Sequence, residues 1–175
     1  MQKCKAKGRL IGWIVAIVGG AILSVRLDIH YFGKWFYNPW FHVVSFIIGW
    51  YLMQLVRRGA RNSGRLLSKY GREGDISRLE TNRLVKTGLY AYMRHPMHLA
   101  LLVWPWSFAF LLGSPTFILF VAPLEMLMML VLIKTVEEPG AIRKFGDEYR
   151  EYMRQVPMFC FKKECLKKLF GPSEF

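Results

Sequence analysis

The sequence is poor in the residue types from which most soluble enzymes build a site. It has three cysteines, Cys4, Cys160 and Cys165, and four histidines in 175 residues. No further cysteine or histidine stands near Cys160 and Cys165, which argues against a zinc site, and no metal site is expected anywhere. All three cysteines fall in segments assigned to the cytoplasm below, so they are expected as reduced thiols. Juxtamembrane thiols of this kind are also acceptors for palmitoylation. No glycine-rich phosphate loop is present. Acidic residues are scarce as well, with 12 against 25 lysines and arginines, a formal charge of +13.

Charge is absent where the apolar runs lie. Gly8 to Val25 holds only Arg9, Pro39 to Val56 and Met97 to Thr116 hold none, and Phe117 to Ile133 holds only Glu125. Each run approaches the ~20 residues, with ~17 as the usual lower limit, that a bilayer-spanning helix needs. With 53% hydrophobic residues, four such runs leave little for a water-soluble core. The expected fold is all-α, a polytopic membrane protein of about four transmembrane helices with a C-terminal amphipathic helix. Lys3, Lys5, Lys7 and Arg9 ahead of the first run resemble a signal peptide, but Arg26 and Asp28 follow where small residues would mark cleavage, so that run is expected to remain as a span.

The lysines and arginines alternate along the chain. Counting 1–9, 26–38, 57–95, the hairpin tip and 134–175 gives 4, 2, 10, 0 and 9. Positive-inside bias places both termini and the 57–95 connection in the cytoplasm. The membrane is the endoplasmic reticulum in a eukaryote or the inner membrane in a bacterium. Topology and anionic head groups account for the basic charge. Nucleic acid is not an expected partner, because no aromatic and basic platform accompanies the charge.

Gly12, Ala16, Gly20 and Ser24 recur at every fourth position of the first helix, and Ser45 and Gly49 share that spacing in the second. Small residues on one face let helices approach closely, and these two helices are expected to pack on each other. Tyr31, Phe32, Trp35, Phe36, Tyr37 and Trp40 make an interfacial aromatic belt. His30 and His42 lie there and receive no role. Residues 57–83 are read as a flexible basic connection with a short helix over Ile76 to Asn82. The third helix starts near Pro96, and Pro105 is expected to kink it. Glu125 is costly in an apolar span and is therefore a functional candidate; the alternative is a protonated carboxyl near the far interface. After Glu137 and Glu138, apolar Ile142, Phe145, Tyr149 and Tyr152 recur at helical spacing on a surface helix. The tail from Phe161 is expected to be loosely ordered.

Two polar clusters thus stand at the two feet of one apolar hairpin, whose tip is Gly113-Ser114-Pro115. The first is Gly88-x-Tyr90-x-x-x-Arg94-His95-Pro96. The second is Glu137-Glu138 followed by Phe145-Gly146-x-x-Tyr149-x-x-Tyr152. This ordered combination resembles the isoprenylcysteine carboxyl methyltransferase and phospholipid methyltransferase superfamily over about 84–159. The resemblance implies an integral-membrane enzyme that uses S-adenosylmethionine, with a methyltransferase core at 84–159, an N-terminal helical pair at 1–83 and a basic tail at 160–175. His98 stands where tyrosine is common and Ala100 where glycine is common.

The chemistry of the residues agrees with that resemblance. Arg94 can grip a carboxylate. Glu137 or Glu138 can accept from ribose hydroxyls or pair with an ammonium. His95 can hydrogen-bond adenine or a carboxylate, and Tyr90 can stack on adenine or face a sulfonium. The cofactor-binding candidates are therefore Tyr90, Arg94, His95, Glu137 and Glu138. His98 and Glu125 are the candidate catalytic bases if the acceptor is an amine. The competing reading has Arg94 and His95 anchoring a helix at head groups while the two glutamates pair with nearby basic residues. The expected acceptor is lipophilic, first the carboxylate of a prenylated cysteine and second a phospholipid amine. A non-catalytic membrane scaffold or ligand-binding protein is the alternative of another class.

Overall fold

The computed structural model describes residues 2–75 and 81–172, with side chains described from residue 12 onward. Among the described residues its regular structure is all helical, joined by loops, and contains no strand. The helices are α1 (Gln2–Tyr31), the short α2 (Gly33–Phe36), α3 (Pro39–Tyr70), α4 (Pro96–Leu101), α5 (Trp104–Leu112), α6 (Phe117–Phe145), α7 (Asp147–Gln155) and α8 (Lys163–Phe170), with a 3₁₀ turn at Gly88–Ala91. Among the described residues three stretches are long and apolar enough to cross a membrane: Gly12–Tyr31, Pro39–Tyr70 and Phe117–Phe145. The remaining expected span is the shorter apolar segment Pro96–Leu112. The protein is an all-α integral membrane protein. Its long helices carry apolar side chains on their exposed faces, such as Val15, Ile22, Ile47, Phe120 and Leu127, as lipid requires.

The prolines explain the irregularities. The Pro96–Leu112 segment breaks between Leu101 and Trp104, because Pro105 has no N–H and its ring crowds the carbonyl four residues back, that of Leu101. In α6 the backbone loosens to π geometry twice, at Phe117–Val121 and at Ile133–Glu137. Each stretch ends two residues before a proline, Pro123 and Pro139. Each ring excludes the ordinary bond one turn back, and the preceding turn widens to accommodate it. The second widening sets the direction in which Glu137 and Glu138 leave the helix.

The chain forms two compact units, which share α3 and α6 along the sequence. The first comprises residues 1–51 and 105–125. Its small-residue faces do not meet one another as expected; each meets the hairpin instead. A Cβ on Gly20 would lie 3.0 Å from Val121 Cγ1, and one on Gly49 would lie 2.6 Å from the Leu111 backbone nitrogen. Ser45 Oγ donates to Phe110 O at 2.6 Å and Ser107 Oγ donates to Gly49 O at 3.0 Å. The spacing identified close-approach faces but carried no information on which helix approaches them.

At the hairpin tip Gly113 has φ +64°, and a Cβ there would collide with the His42 ring. Ser114 Oγ accepts from Phe117 N at 3.1 Å and donates to Asp28 Oδ2, while Asp28 Oδ1 accepts from Thr116 N at 2.8 Å. Pro115 and Thr116 already have helical backbone. Ser114 thus caps α6 with proline directly after it, and Asp28 from α1 takes a second free N–H of its first turn. Asp28 is fully buried, and a carboxylate at a helix N-terminus is also favoured by the helix dipole.

The second unit comprises residues 52–104 and 126–175. Here α3 continues through Arg57, Arg58, Arg61 and Arg65 to Tyr70, where the basic composition suggested a flexible connection. Buried Val56, Gly59, Asn62, Ser63 and Leu66 account for the helix; these inward positions recur at helical spacing between the arginines. Of the helix expected over Ile76 to Asn82, positions 76–80 lie outside the described residues, and Asn82 is in a loop. Gly146, with φ +60°, divides the expected single C-terminal helix into the end of α6 and α7.

The tail is ordered rather than loose through α8. Cys165 and Leu169 are buried in the unit's apolar core, and Asn62 Nδ2 donates to Leu169 O at 3.0 Å and Gly171 O at 3.2 Å. The expectation of reduced thiols at Cys160 and Cys165 is corrected: they form a disulfide, with Cα atoms 6.0 Å apart, inside the span a disulfide bridges. The turn before α8 brings them together, which their spacing alone did not indicate. Among the described residues no cluster of metal-ligating side chains occurs.

Candidate active site

The corner between the 3₁₀ turn and α4 is fixed by backbone. Gly88 has φ +62° with Leu66 packed against it, a conformation open mainly to glycine. His95 is the N-cap of α4 and Pro96 its first residue. Arg94 N and His95 N donate to Pro157 O at 2.9 Å and Met158 O at 3.2 Å. The C-terminal strap therefore holds the Arg-His-Pro corner.

Around that corner lies a cavity of about 170 Å³ whose walls include Tyr90, Arg94, His95, His98, Glu137 and Tyr149. A larger hollow, about 310 Å³, is lined by Arg65, Leu66, Ser68, Lys69 and Tyr70. All five belong to consecutive turns of α3 and no groups converge there, so the smaller cavity is the candidate.

Arg94 Nη2 lies 2.7 Å from Glu138 Oε1, the two side chains being 10% and 11% exposed. Arg94 Nη1 donates to Met153 O at 3.0 Å. The pairing of a glutamate with a nearby basic residue, the competing reading of the motif, is thus realised for Glu138, but it occurs in the wall of a cavity. One buried polar atom there, Arg94 Nε, has no hydrogen-bond partner among the described residues, whereas Glu138 Oε1 is taken by the ion pair with Arg94. Buried polar groups are nearly always paired, so the Arg94 Nε–H is a donor still open to an acceptor at this corner.

His95 Nε2 lies 3.4 Å from Glu138 Oε1, a contact that by itself favours the charged ring. The opposite influences win. Burial, then the charges of His98 and Arg94, lower its pKa from 6.5 to about 3. Tyr149 is pushed up to about 12 by burial and by Glu138, and burial raises Tyr90 and Tyr152 also. These phenols stay protonated; Tyr152 donates its O–H to Tyr90 O at 2.5 Å.

A stability consequence follows for His95. Between about pH 6.5 and about pH 3 the unfolded chain binds a proton that the folded chain refuses. Stability is full above 6.5 and is lost as pH falls through that window, by up to about 1.4 kcal/mol per pH unit for one group. Thermal unfolding in detergent from about pH 7 to about pH 5 should show His95→Gln with a shallower acid slope than wild type. Equal slopes would contradict a neutral, buried His95.

Of the residues expected at the site, Tyr90, Arg94, His95, His98 and Glu137 line one cavity, and Glu138 touches Arg94 and His95. The His95 and His98 rings meet edge-on with centroids 5.3 Å apart. Glu125 is not in that wall. It belongs to the other compact unit, is 2% exposed, and neither carboxyl oxygen has a hydrogen-bond partner among the described residues. Sequence reading missed Arg83 and Thr81, which also line the cavity; they lie in a loop with no periodicity to single them out.

The profile of the phospholipid methyltransferase family matches residues 43–148, more than half of the 175-residue chain and both feet of the hairpin. The chain belongs to the phospholipid methyltransferase family. It is also similar to the protein-S-isoprenylcysteine O-methyltransferase of Schizosaccharomyces pombe, with 39% identity over 80 residues, 42% of this chain. The chain spans about a third of that relative's length, 31%. No solved structure matches the chain significantly. Membership in a methyltransferase family agrees with the resemblance carried by the two motifs, and with a membrane protein whose polar groups converge at one corner.

Proposed function

We propose that the chain is a membrane-embedded methyltransferase that uses S-adenosylmethionine to methylate a lipophilic acceptor. The observation that carries this reading is the convergence of Tyr90, Arg94, His95, His98 and Glu137 on one cavity beside the buried Arg94–Glu138 pair. The donor set fits the cofactor: aromatic faces for adenine, acidic oxygens for ribose or ammonium, and an Arg94 Nε–H with no hydrogen-bond partner among the described residues. The cavity is below the ~300–1,000 Å³ of typical small-molecule pockets, so it must widen to take the whole cofactor. Bound S-adenosylmethionine supplies an activated methyl on a sulfonium.

The chain's own residues then have limited tasks. They hold donor and acceptor in line and exclude water. Tyr149 and Tyr152, kept protonated by burial, remain hydrogen-bond donors. A neutral His95 adds no positive charge beside a sulfonium. A carboxylate acceptor arrives ionised and needs no base, whereas an amine acceptor requires one; His98, in the cavity wall, is the first candidate, and Glu125 the second.

The first choice of acceptor is the carboxylate of a prenylated cysteine, favoured by the isoprenylcysteine methyltransferase relative. The family profile favours the second, a phospholipid amine. Purified protein incubated with methyl-labelled cofactor and either a prenylcysteine analogue or extracted phospholipid should label the prenylcysteine by base-labile ester formation. Label in phospholipid alone would select the second reading; label in neither would remove both.

The charge alternation supports both termini facing the cytoplasm. Asn38 and Glu73 are exposed and therefore suitable reporters. Single cysteines at these positions, in a chain with its native cysteines replaced, should label from opposite sides, with Glu73 on the cytoplasmic side. The Cys160–Cys165 disulfide argues the other way, since cytoplasmic thiols are kept reduced. Glu73 labelled from outside would reverse the orientation.

A further inference from the structure

We infer that Arg83 forms an anion subsite in the cavity wall and, resting on the cofactor reading above, that it receives the amino-acid carboxylate of S-adenosylmethionine. The cavity has two guanidinium groups, Arg83 and Arg94, and guanidinium stays charged at any physiological pH. Arg94 is committed within the protein: one terminal nitrogen meets Glu138 at 2.7 Å and the other donates to Met153 O at 3.0 Å. It is not a free fork for a ligand.

Neighbouring lysines are committed as well. Lys86 pairs with Glu148 at 2.8 Å, and Lys144 donates to Thr81 O. Arg83 is exposed and has no side-chain partner among the described residues.

Its root is nevertheless fixed. Asn82 N and Arg83 N both donate to Gly71 O, at 3.0 and 3.3 Å. The Asn82 side chain bridges the Glu73 backbone, accepting from N at 2.9 Å and donating to O at 2.7 Å. Val85 is buried in the unit's core two residues on. The backbone at its base is already ordered, so binding has only the side chain's own rotamers left to fix.

The wall also supplies the opposite charge, since Glu137 lines the same cavity. A cation and a carboxylate in one wall complement a zwitterion, with Glu137 toward the ammonium and Arg83 toward the carboxylate. A planar guanidinium matches a carboxylate in two parallel hydrogen bonds.

The test compares two ligands that share adenosine and the thioether. S-adenosylhomocysteine carries the amino-acid group; 5′-methylthioadenosine lacks it. The full chain in detergent is titrated calorimetrically as wild type, Arg83→Gln and Arg83→Lys. Arg83→Gln should weaken S-adenosylhomocysteine about tenfold or more, the scale of one lost charged hydrogen bond, and leave methylthioadenosine unchanged. Arg83→Lys should lose less. Equal loss for both ligands, or no loss for either, overturns the carboxylate subsite while the cofactor reading stands. Intact cofactor affinity with a raised KM for the acceptor overturns it too. Wild type that binds neither ligand removes the cofactor reading, and the subsite with it.

Discussion

Arg94→Ala is expected to cost about 3–5 kcal/mol of stability, the scale for stripping one partner from a buried ion pair. The variant leaves the Glu138 carboxylate buried without its cation and the Met153 carbonyl without its donor. It also loosens the Arg-His-Pro corner, so affinity for S-adenosylhomocysteine should fall with stability. Glu138→Gln should cost less, because a neutral amide remains. The double variant should recover part of the loss, since the uncompensated charge is gone; this coupling is what separates a true pair from two independent contacts. Arg94→Lys should not restore stability, as one compact ammonium cannot serve both partners. Denaturant unfolding in detergent measures all four. A single-variant loss under about 1 kcal/mol, or strictly additive losses, would contradict the buried pair.

The second large effect lies in the other unit. Asp28→Ala removes the acceptor of the Ser114 hydroxyl and of Thr116 N–H, both among fully or nearly fully buried residues. Each hydrogen bond to a charged group contributes about 1.5–3 kcal/mol, so several kcal/mol should be lost. Asp28→Asn retains one carbonyl acceptor and should cost less. Both variants should lower the thermal midpoint, while a per-molecule affinity for S-adenosylhomocysteine, measured well below that midpoint, stays near wild type. An Asp28→Ala protein as stable as wild type would show that the cap contributes nothing.

Composition and patterning made the helical membrane architecture readable, because an uncharged run near ~20 residues has few other uses. Proline made the break before Pro105 readable for an equally local reason. Partner choice was not readable. Gly20 and Gly49 advertise close approach, but their partners in the hairpin lie far along the chain. The helix through Arg57 and Arg65 was hidden because its exposed face is basic, and only its inward positions, Leu66 and Val56, reveal it.

The ordered motifs singled out Tyr90, Arg94, His95 and Glu137, which line one cavity, and Glu138, which touches Arg94 and His95, since sequence order survives folding. The division of labour did not. That Arg94 is used internally while Arg83 has no side-chain partner among the described residues depends on distances that only the packed corner sets. Arg83 itself sits in a loop, where neither period nor charge pattern distinguishes it from other arginines.

The central claim is that this cavity binds S-adenosylmethionine, and photolabelling tests it most directly. Methyl-labelled cofactor is cross-linked to the full chain under ultraviolet light, with and without excess S-adenosylhomocysteine, and the labelled peptides are mapped. The account predicts displaceable label confined to the peptides that line the cavity, those carrying Arg83 to His98 and Glu137 to Tyr152. Displaceable label concentrated elsewhere, or no displaceable label at all, would contradict it.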